Sequence, residues 1–196
     1  VSDTAALPGS LPADRFHSAE VVISWPQDNI GTSIPNLLAT VLGNLTELKA
    51  LSGIRLKDIQ LDTAFVEACP KPAFGVPGTR ELAGVDHGPL VGTIIKPSVG
   101  LSPKETADLV STLIEAGLDF IKDDELIADP PYSPFEKRVE AVMQVINDYA
   151  YRTGRKPMYA FNLTGSVDEM RQRHDQVLAA GGTCVMASLN WIGMTG

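Results

Sequence analysis

Four consecutive residues, Lys122-Asp123-Asp124-Glu125, concentrate this chain's capacity for chemistry. Carboxylate oxygens are hard donors suited to Mg²⁺. A lysine amine is a poor ligand for that ion, but carbamylation by CO₂ converts it into an oxygen donor and removes its positive charge. Successive side chains on a strand point to opposite faces. Lys122 and Asp124 therefore share one side, Glu125 can join them as the strand gives way to a loop, and Asp123 turns away as a structural member. A Lys122–Asp124 ion pair accounts for the same residues, as does a solvated acidic run. Spacing alone leaves these alternatives open.

The elements that must carry this run are regular from residue 91 onward. Short apolar segments predict strands at Val91–Ile95, Leu118–Ile121, Pro157–Phe161 and Thr183–Leu189. Helices open at Ser102-Pro-Lys-Glu105, Ser133-Pro-Phe-Glu136 and Ser166-Val-Asp-Glu169, and close at Gly117, Gly154 and Gly181-Gly182. In such a Ser-x-x-Glu box the serine oxygen accepts from the N3 amide and the glutamate reaches back to the cap. Glycine then suits the left-handed position past the helix end. Four strands joined by three crossover helices predict parallel strands buried on both faces.

Two architectures satisfy that pattern: an open doubly wound sheet, or part of a (β/α)₈ barrel. The first would place a Gly-rich phosphate turn after its first strand, where Lys96-Pro97-Ser98-Val99-Gly100 stands instead. A complete barrel needs about 250 residues, and residues 91–196 supply 106. As a barrel, the sequence stops just after the fourth strand and leaves apolar edges open. Barrel enzymes keep their chemistry at the C-terminal ends of the strands. Those ends carry Lys96, then Lys122 to Glu125, then Asn162, then Ser188 and Asn190.

Upstream, residues 1–18 read as an arm rich in Pro, Ser, Ala and Gly. Ala19–Trp25 and Ile54–Leu61 have strand patterning, and a helix opening at Ser33 carries Leu37, Leu38, Val41 and Leu42 before Gly43-Asn44 interrupts it. This predicts a partial α+β domain at residues 1–68, a Pro- and Gly-rich linker at 69–90, and the βα repeat at 91–196. His17, His87 and His174 are isolated, and none is assigned a role.

The net charge of −8 argues against nucleic acid and against an anionic membrane as partner. Cys69 and Cys184 have no metal-ligand spacing and make no disulfide framework, which favours a reducing, cytoplasmic setting. No apolar run reaches the ~18 residues of a membrane-spanning helix, and residues 1–15 lack the features of a signal peptide.

Gly92-Thr-Ile-Ile-Lys-Pro97, Gly100-Leu-Ser102 and Gly117-Leu-Asp-Phe-Ile-Lys-Asp-Asp-Glu125 resemble the first two barrel strands of the large subunit of ribulose-1,5-bisphosphate carboxylase/oxygenase, RuBisCO. The similarity extends back through Trp25-Pro26 and Leu42-Gly-Asn-Leu45 and forward through Tyr159-Ala-Phe-Asn162, spanning residues 19–196. The resemblance implies the first half of a (β/α)₈ TIM barrel behind the end of an α+β, ferredoxin-like N-terminal domain. It implies that Lys122 is carbamylated and binds Mg²⁺ together with Asp124 and Glu125. Lys96 would move protons on and off an enediol, with Lys96 and Asn162 facing substrate. Asn44 would reach the substrate in a neighbouring subunit's site, which implies a homodimer with shared active sites.

Departures from the carboxylases fall at strand ends. Ser98 stands where they carry the second lysine of Lys-Pro-Lys. The connection after Glu125 reads Leu126-Ile-Ala-Asp-Pro-Pro-Tyr-Ser-Pro-Phe135, and the fourth strand ends in Ala187-Ser-Leu-Asn190 where they carry His-Asp. The chain thus looks most like the RuBisCO-like branch, whose members enolise, isomerise or decarboxylate related sugar phosphates. The leading expectation is an Mg²⁺-dependent enzyme acting on a phosphorylated keto-sugar or sugar acid. A true ribulose-1,5-bisphosphate carboxylase is the second, and a non-catalytic sugar-phosphate binder the third.

Overall fold

The computed structural model describes residues 18–49, 51–193 and 196; the arm expected at 1–18, with His17, lies outside them except for Ser18. The chain divides into two compact units, Val1–Pro72 and Ala73–Gly196.

The first unit contains α1 (Gln27–Ile30), α2 (Ile34–Leu38) and α3 (Thr63–Ala68). The Ser33 hydroxyl accepts from the Asn36 amide at 3.3 Å and starts α2, which runs on through one π turn, Ala39–Gly43, into a 3₁₀ turn, Asn44–Glu47. The Asp62 carboxylate accepts from the Phe65 amide at 2.8 Å and caps α3. The two strands expected here do not form. Residues 19–25 and 54–61 have no backbone ladder, although the Lys57 ammonium meets Glu20 at 2.8 Å. Their alternation marks which face would be buried, but a strand also needs a partner's N–H and C=O groups. Without one the apolar residues remain outside, Val22 at 91% exposure.

In the second unit, the stretch expected as linker contains α4 (Gly75–Ala83). The regular repeat follows: β1 (Gly92–Ile94), α5 (Pro103–Glu115), β2 (Phe120–Lys122), α6 (Phe135–Thr153), β3 (Met158–Asn162), α7 (Val167–Ala179), β4 (Cys184–Met186) and a short α8 (Leu189–Ile192). The strands are parallel in the order β1-β2-β3-β4. Ile94, Lys122, Ala160 and Cys184 stand in one row across the sheet; it ends β1 and β2, whereas β3 and β4 run on to a second pairing, Asn162 with Met186.

Burial is graded across this sheet. Every residue of β3 is buried, whereas the edge strands expose Ile94 and Val185. The core gathers Ile95, Ile121 and Phe161 from the sheet with Val110, Ile114, Val142, Ile146 and Val177 from the helices. The fourth strand is shorter than its apolar run, because Ser188 turns the chain into α8.

Two of the three expected capping boxes form. The Ser102 hydroxyl accepts from the Glu105 amide and the Glu105 carboxylate accepts from the Ser102 amide; Ser166 and Glu169 repeat this. Ser133 is the exception. Pro134 occupies the cap of α6, and Asp129 Oδ1 accepts from the Phe135 amide at 2.7 Å instead. Ser133 is fully buried and serves Arg138. Gly154 closes α6 at φ 74°, a conformation that disfavours side chains.

Candidate active site at the strand ends

Asp123, first residue after β2, turns into the interior and is fully buried. Its Oδ2 accepts from Arg138 Nε at 3.3 Å, from Arg138 Nη2 at 3.2 Å and from the Asn162 amide at 2.9 Å. Its Oδ1 accepts from the Tyr159 hydroxyl at 2.5 Å. Burial pushes this carboxyl above its ordinary range, opposed by the Arg138 guanidinium and by the three kinds of hydrogen bond. Burial and the adjacent Asp123 push the Tyr159 phenol well up as well, so it stays a neutral donor.

The neighbouring side chains point the other way. Lys122 Nζ donates to Glu125 Oε1 at 2.8 Å and to the Asp123 carbonyl at 3.0 Å. Asp124 pairs across the sheet end: its Oδ2 accepts from Lys96 Nζ at 2.6 Å, and its Oδ1 accepts from the Leu126 amide at 3.0 Å. The Lys122–Asp124 ion pair that spacing allows is thus replaced by two others, Lys122–Glu125 and Lys96–Asp124. Lys96 also donates to the Ser98 hydroxyl at 2.9 Å.

These pairs tune the carboxylates. Burial raises Asp124, but the Lys96, Leu126 and Ser98 hydrogen bonds outweigh it and leave the carboxyl below its ordinary value. The hydrogen bond from Lys122 holds the half-exposed Glu125 below the usual carboxylate range. Both are anionic at neutral pH.

Asn162, at the end of β3, is fully buried. Its Nδ2 donates to the carbonyls of Asp124 at 3.3 Å and Glu125 at 3.1 Å, and its Oδ1 accepts from the Thr164 amide at 3.1 Å. The Asn162 side chain thus ties the backbone after β2 to the backbone after β3. The Ser188 amide in turn donates to the Thr164 hydroxyl at 3.0 Å, tying the loop after β4 to the loop after β3. Asn190 is exposed in α8. Asn44 belongs to the first unit, where it is exposed at the start of the 3₁₀ turn.

Sequence reading passes over Arg138 and Tyr159. Arg138 carried a signal: it interrupts the apolar stripe of Phe135, Val139, Val142, Met143 and Ile146 on α6, and a buried face does not hold a charge without a partner. Nothing in the spacing marked Tyr159.

A parallel βα sheet with lysines and carboxylates converging at its C-terminal edge defines the first half of a (β/α)₈ barrel. Residues 75–196 match the catalytic domain of the ribulose bisphosphate carboxylase large chain, and residues 10–65 match its N-terminal domain. The chain belongs to the RuBisCO large-chain family. It is 57% identical, over 100% of its length and 47% of the relative's, to a 3-oxo-isoapionate-4-phosphate transcarboxylase/hydrolase from Xanthobacter autotrophicus. It is 46% identical, over 96% of its length and 46% of the relative's, to a 3-oxo-isoapionate-4-phosphate decarboxylase from Rhizobium etli. A rubisco-like protein from Burkholderia fungorum matches its structure with a TM-score of 0.83 at 48% identity, over 87% of this chain and 42% of that one. The chain thus spans just under half the length of the curated relatives it matches. No helix among the described residues is long and apolar enough to cross a membrane.

Proposed function

We propose that this chain carries the front half of the active site of an Mg²⁺-dependent RuBisCO-like enzyme that forms and quenches the enolate of a phosphorylated keto-sugar acid. The observation that carries the reading is the crossed pairing Lys96–Asp124 and Lys122–Glu125 at adjoining strand ends. Two lysines and two carboxylates are held where a carbonyl substrate could be bound, charged and reprotonated.

The residues fit a hard divalent ion. Asp124 and Glu125 supply carboxylate oxygens, and no group of three or more His, Cys, Asp and Glu gathers among the described residues. A third anionic donor would come from Lys122, whose Nζ already lies 2.8 Å from Glu125 Oε1. Carbamylation would change that position from cationic to anionic. When bound, Mg²⁺ would polarise the substrate carbonyl and favour negative charge on its oxygen.

Enolisation and decarboxylation of a 3-oxo acid share one requirement. An electron pair, left by a departing proton or by a departing CO₂, passes into the carbonyl as an enolate. A proton must then return to carbon. Lys96 Nζ, donating to Asp124 and Ser98, supports that role, since it presents a proton at the mouth of the site with 62% of its side chain exposed. The names of the relatives favour 3-oxo-isoapionate 4-phosphate as substrate. Ser98, as an uncharged acceptor for Lys96, supports this chemistry over carboxylation of ribulose bisphosphate. The reading also takes Asn44 as a contribution to a partner's site, hence a homodimer with shared sites, consistent with the residue's exposure. It keeps a cytoplasmic setting, in line with Cys69 and Cys184 as free thiols.

The test is turnover by the complete protein. Mg²⁺-dependent consumption of 3-oxo-isoapionate 4-phosphate is the expected result. Incorporation of ¹⁴CO₂ into ribulose 1,5-bisphosphate, without turnover of the keto acid, would contradict it.

A further inference from the structure

We propose that Asp123, Arg138 and Tyr159 form a buried clamp that sets the positions of Asp124 and Glu125, making Arg138 and Tyr159 positioning residues for the divalent-ion site. The proposal rests on the reading of Lys122, Asp124 and Glu125 as ligands.

Asp123 lies between Lys122 and Asp124 in the chain but on the opposite face. Anchoring its side chain restrains the backbone on which both neighbours sit. That carboxylate is held at both oxygens by Arg138, Tyr159 and the Asn162 amide. The remaining Arg138 donors point at the loop that follows the carboxylates. They reach the carbonyls of Ile127 at 3.1 Å, Ala128 at 2.7 Å and Ser133 at 2.7 Å. The loop is therefore wound around one buried guanidinium, which also lies 5.5 Å from the Phe135 ring centroid.

The same network extends to the ligands from the β3 side. The Asn162 amide that binds Asp123 sits in the residue whose side chain holds the Asp124 and Glu125 carbonyls. The two carboxylate-bearing residues are thus anchored through their backbone from both sides.

A bland structural role does not explain this arrangement. Buried ion pairs contribute no more to stability than well-packed apolar residues of similar volume. α6 already has an apolar face that could close over the sheet without a charge. What the pair adds is anchorage: it holds the backbone on both sides of Asp124 and Glu125, at Asp123 and in the loop from Ile127. Outer hydrogen-bond partners of metal ligands typically change metal affinity by about 10–100-fold.

The experiment is a Mn²⁺ titration followed by EPR, on the complete protein with bicarbonate present. Tyr159→Phe keeps the ring and its packing and removes one hydrogen bond to Asp123. It is expected to keep its circular dichroism spectrum and to weaken Mn²⁺ binding by about 10-fold, with an altered line shape. Arg138→Lys is expected to weaken binding further. Ile146→Val, a core change on the same helix outside the clamp, is expected to lower thermal stability and leave Mn²⁺ affinity unchanged. Unchanged affinity in Tyr159→Phe overturns the clamp, as does an equal loss in Ile146→Val. If wild type and Asp124→Asn bind Mn²⁺ equally, the metal reading fails first and the clamp with it. If Arg138→Lys does not fold, Tyr159→Phe decides.

Discussion

Replacing Arg138 with methionine is the sharpest perturbation of stability in this fold. Arg138 and Asp123 are both 0% exposed, so neither charge is screened by water in the native state. Methionine follows the path of the arginine side chain, and the packing loss is small. What disappears is every donor to Asp123 from α6, together with the donors to the carbonyls of Ile127, Ala128 and Ser133. Breaking a buried ion pair from one side costs about 3–5 kcal/mol. A buried carbonyl left without a partner adds about 1–3 kcal/mol, less what entering water restores. We expect a loss of about 4 kcal/mol or more, a large part of the roughly 5–15 kcal/mol that stabilises a typical domain. Asp123→Asn should be costly too, and the Arg138→Met/Asp123→Asn double variant should show a favourable coupling of about 2 kcal/mol. Urea unfolding of the complete protein measures all three, read as a shift in midpoint at constant slope. A loss under about 1 kcal/mol for Arg138→Met would refute the reasoning, because it would mean that water or a relaxed backbone already satisfies these groups.

Ser102→Ala should remove a helix cap and cost about 1 kcal/mol. Ser133→Ala, at the same position in an identical sequence pattern, should lose no cap and should act only through Arg138, so its cost should vanish in an Arg138→Met background. The hydrogen bonds from Ser102 and Ser166 hold Glu105 and Glu169 below their ordinary value of 4.5. A carboxyl lowered in the folded state stabilises above its unfolded value and loses that contribution as pH falls through its folded value. The difference in stability between wild type and Glu105→Gln should therefore shrink below pH 4.5, measured by thermal unfolding at successive pH values. Ser98→Ala should leave the fold intact and lower kcat about 5-fold, the value of one lost hydrogen bond to Lys96.

Much of the second unit was legible because its signals are local. The Ser102 and Ser166 boxes, the closing glycines and short apolar strands each depend on residues a few positions apart. The parallel repeat follows from their order. Ser133 shows the limit of such reading: the motif is present, yet Pro134 takes the cap and Asp129 supplies the acceptor from six residues upstream. The first unit shows another. Ala19–Trp25 and Ile54–Leu61 alternate as strands do, but alternation carries no information about a partner ladder. At the site, the alternation rule separated Asp123 from its neighbours correctly. The choice of ion pairs lay beyond it, since Lys96 and Asp124 are 28 residues apart and meet only through the sheet register. Asn162 was visible as a polar strand end. Its inward amide follows from the burial of the whole of β3, which no spacing rule supplies.

The role of Lys122 is the central claim, and Lys122→Ala in the complete protein tests it most directly. The measurement is Mg²⁺-dependent exchange of the substrate's α-proton with deuterium from solvent. Exchange should fall on the order of 10²-fold or more and should no longer respond to Mg²⁺ or CO₂. Exchange at the wild-type rate, still stimulated by Mg²⁺, would contradict the role assigned to Lys122.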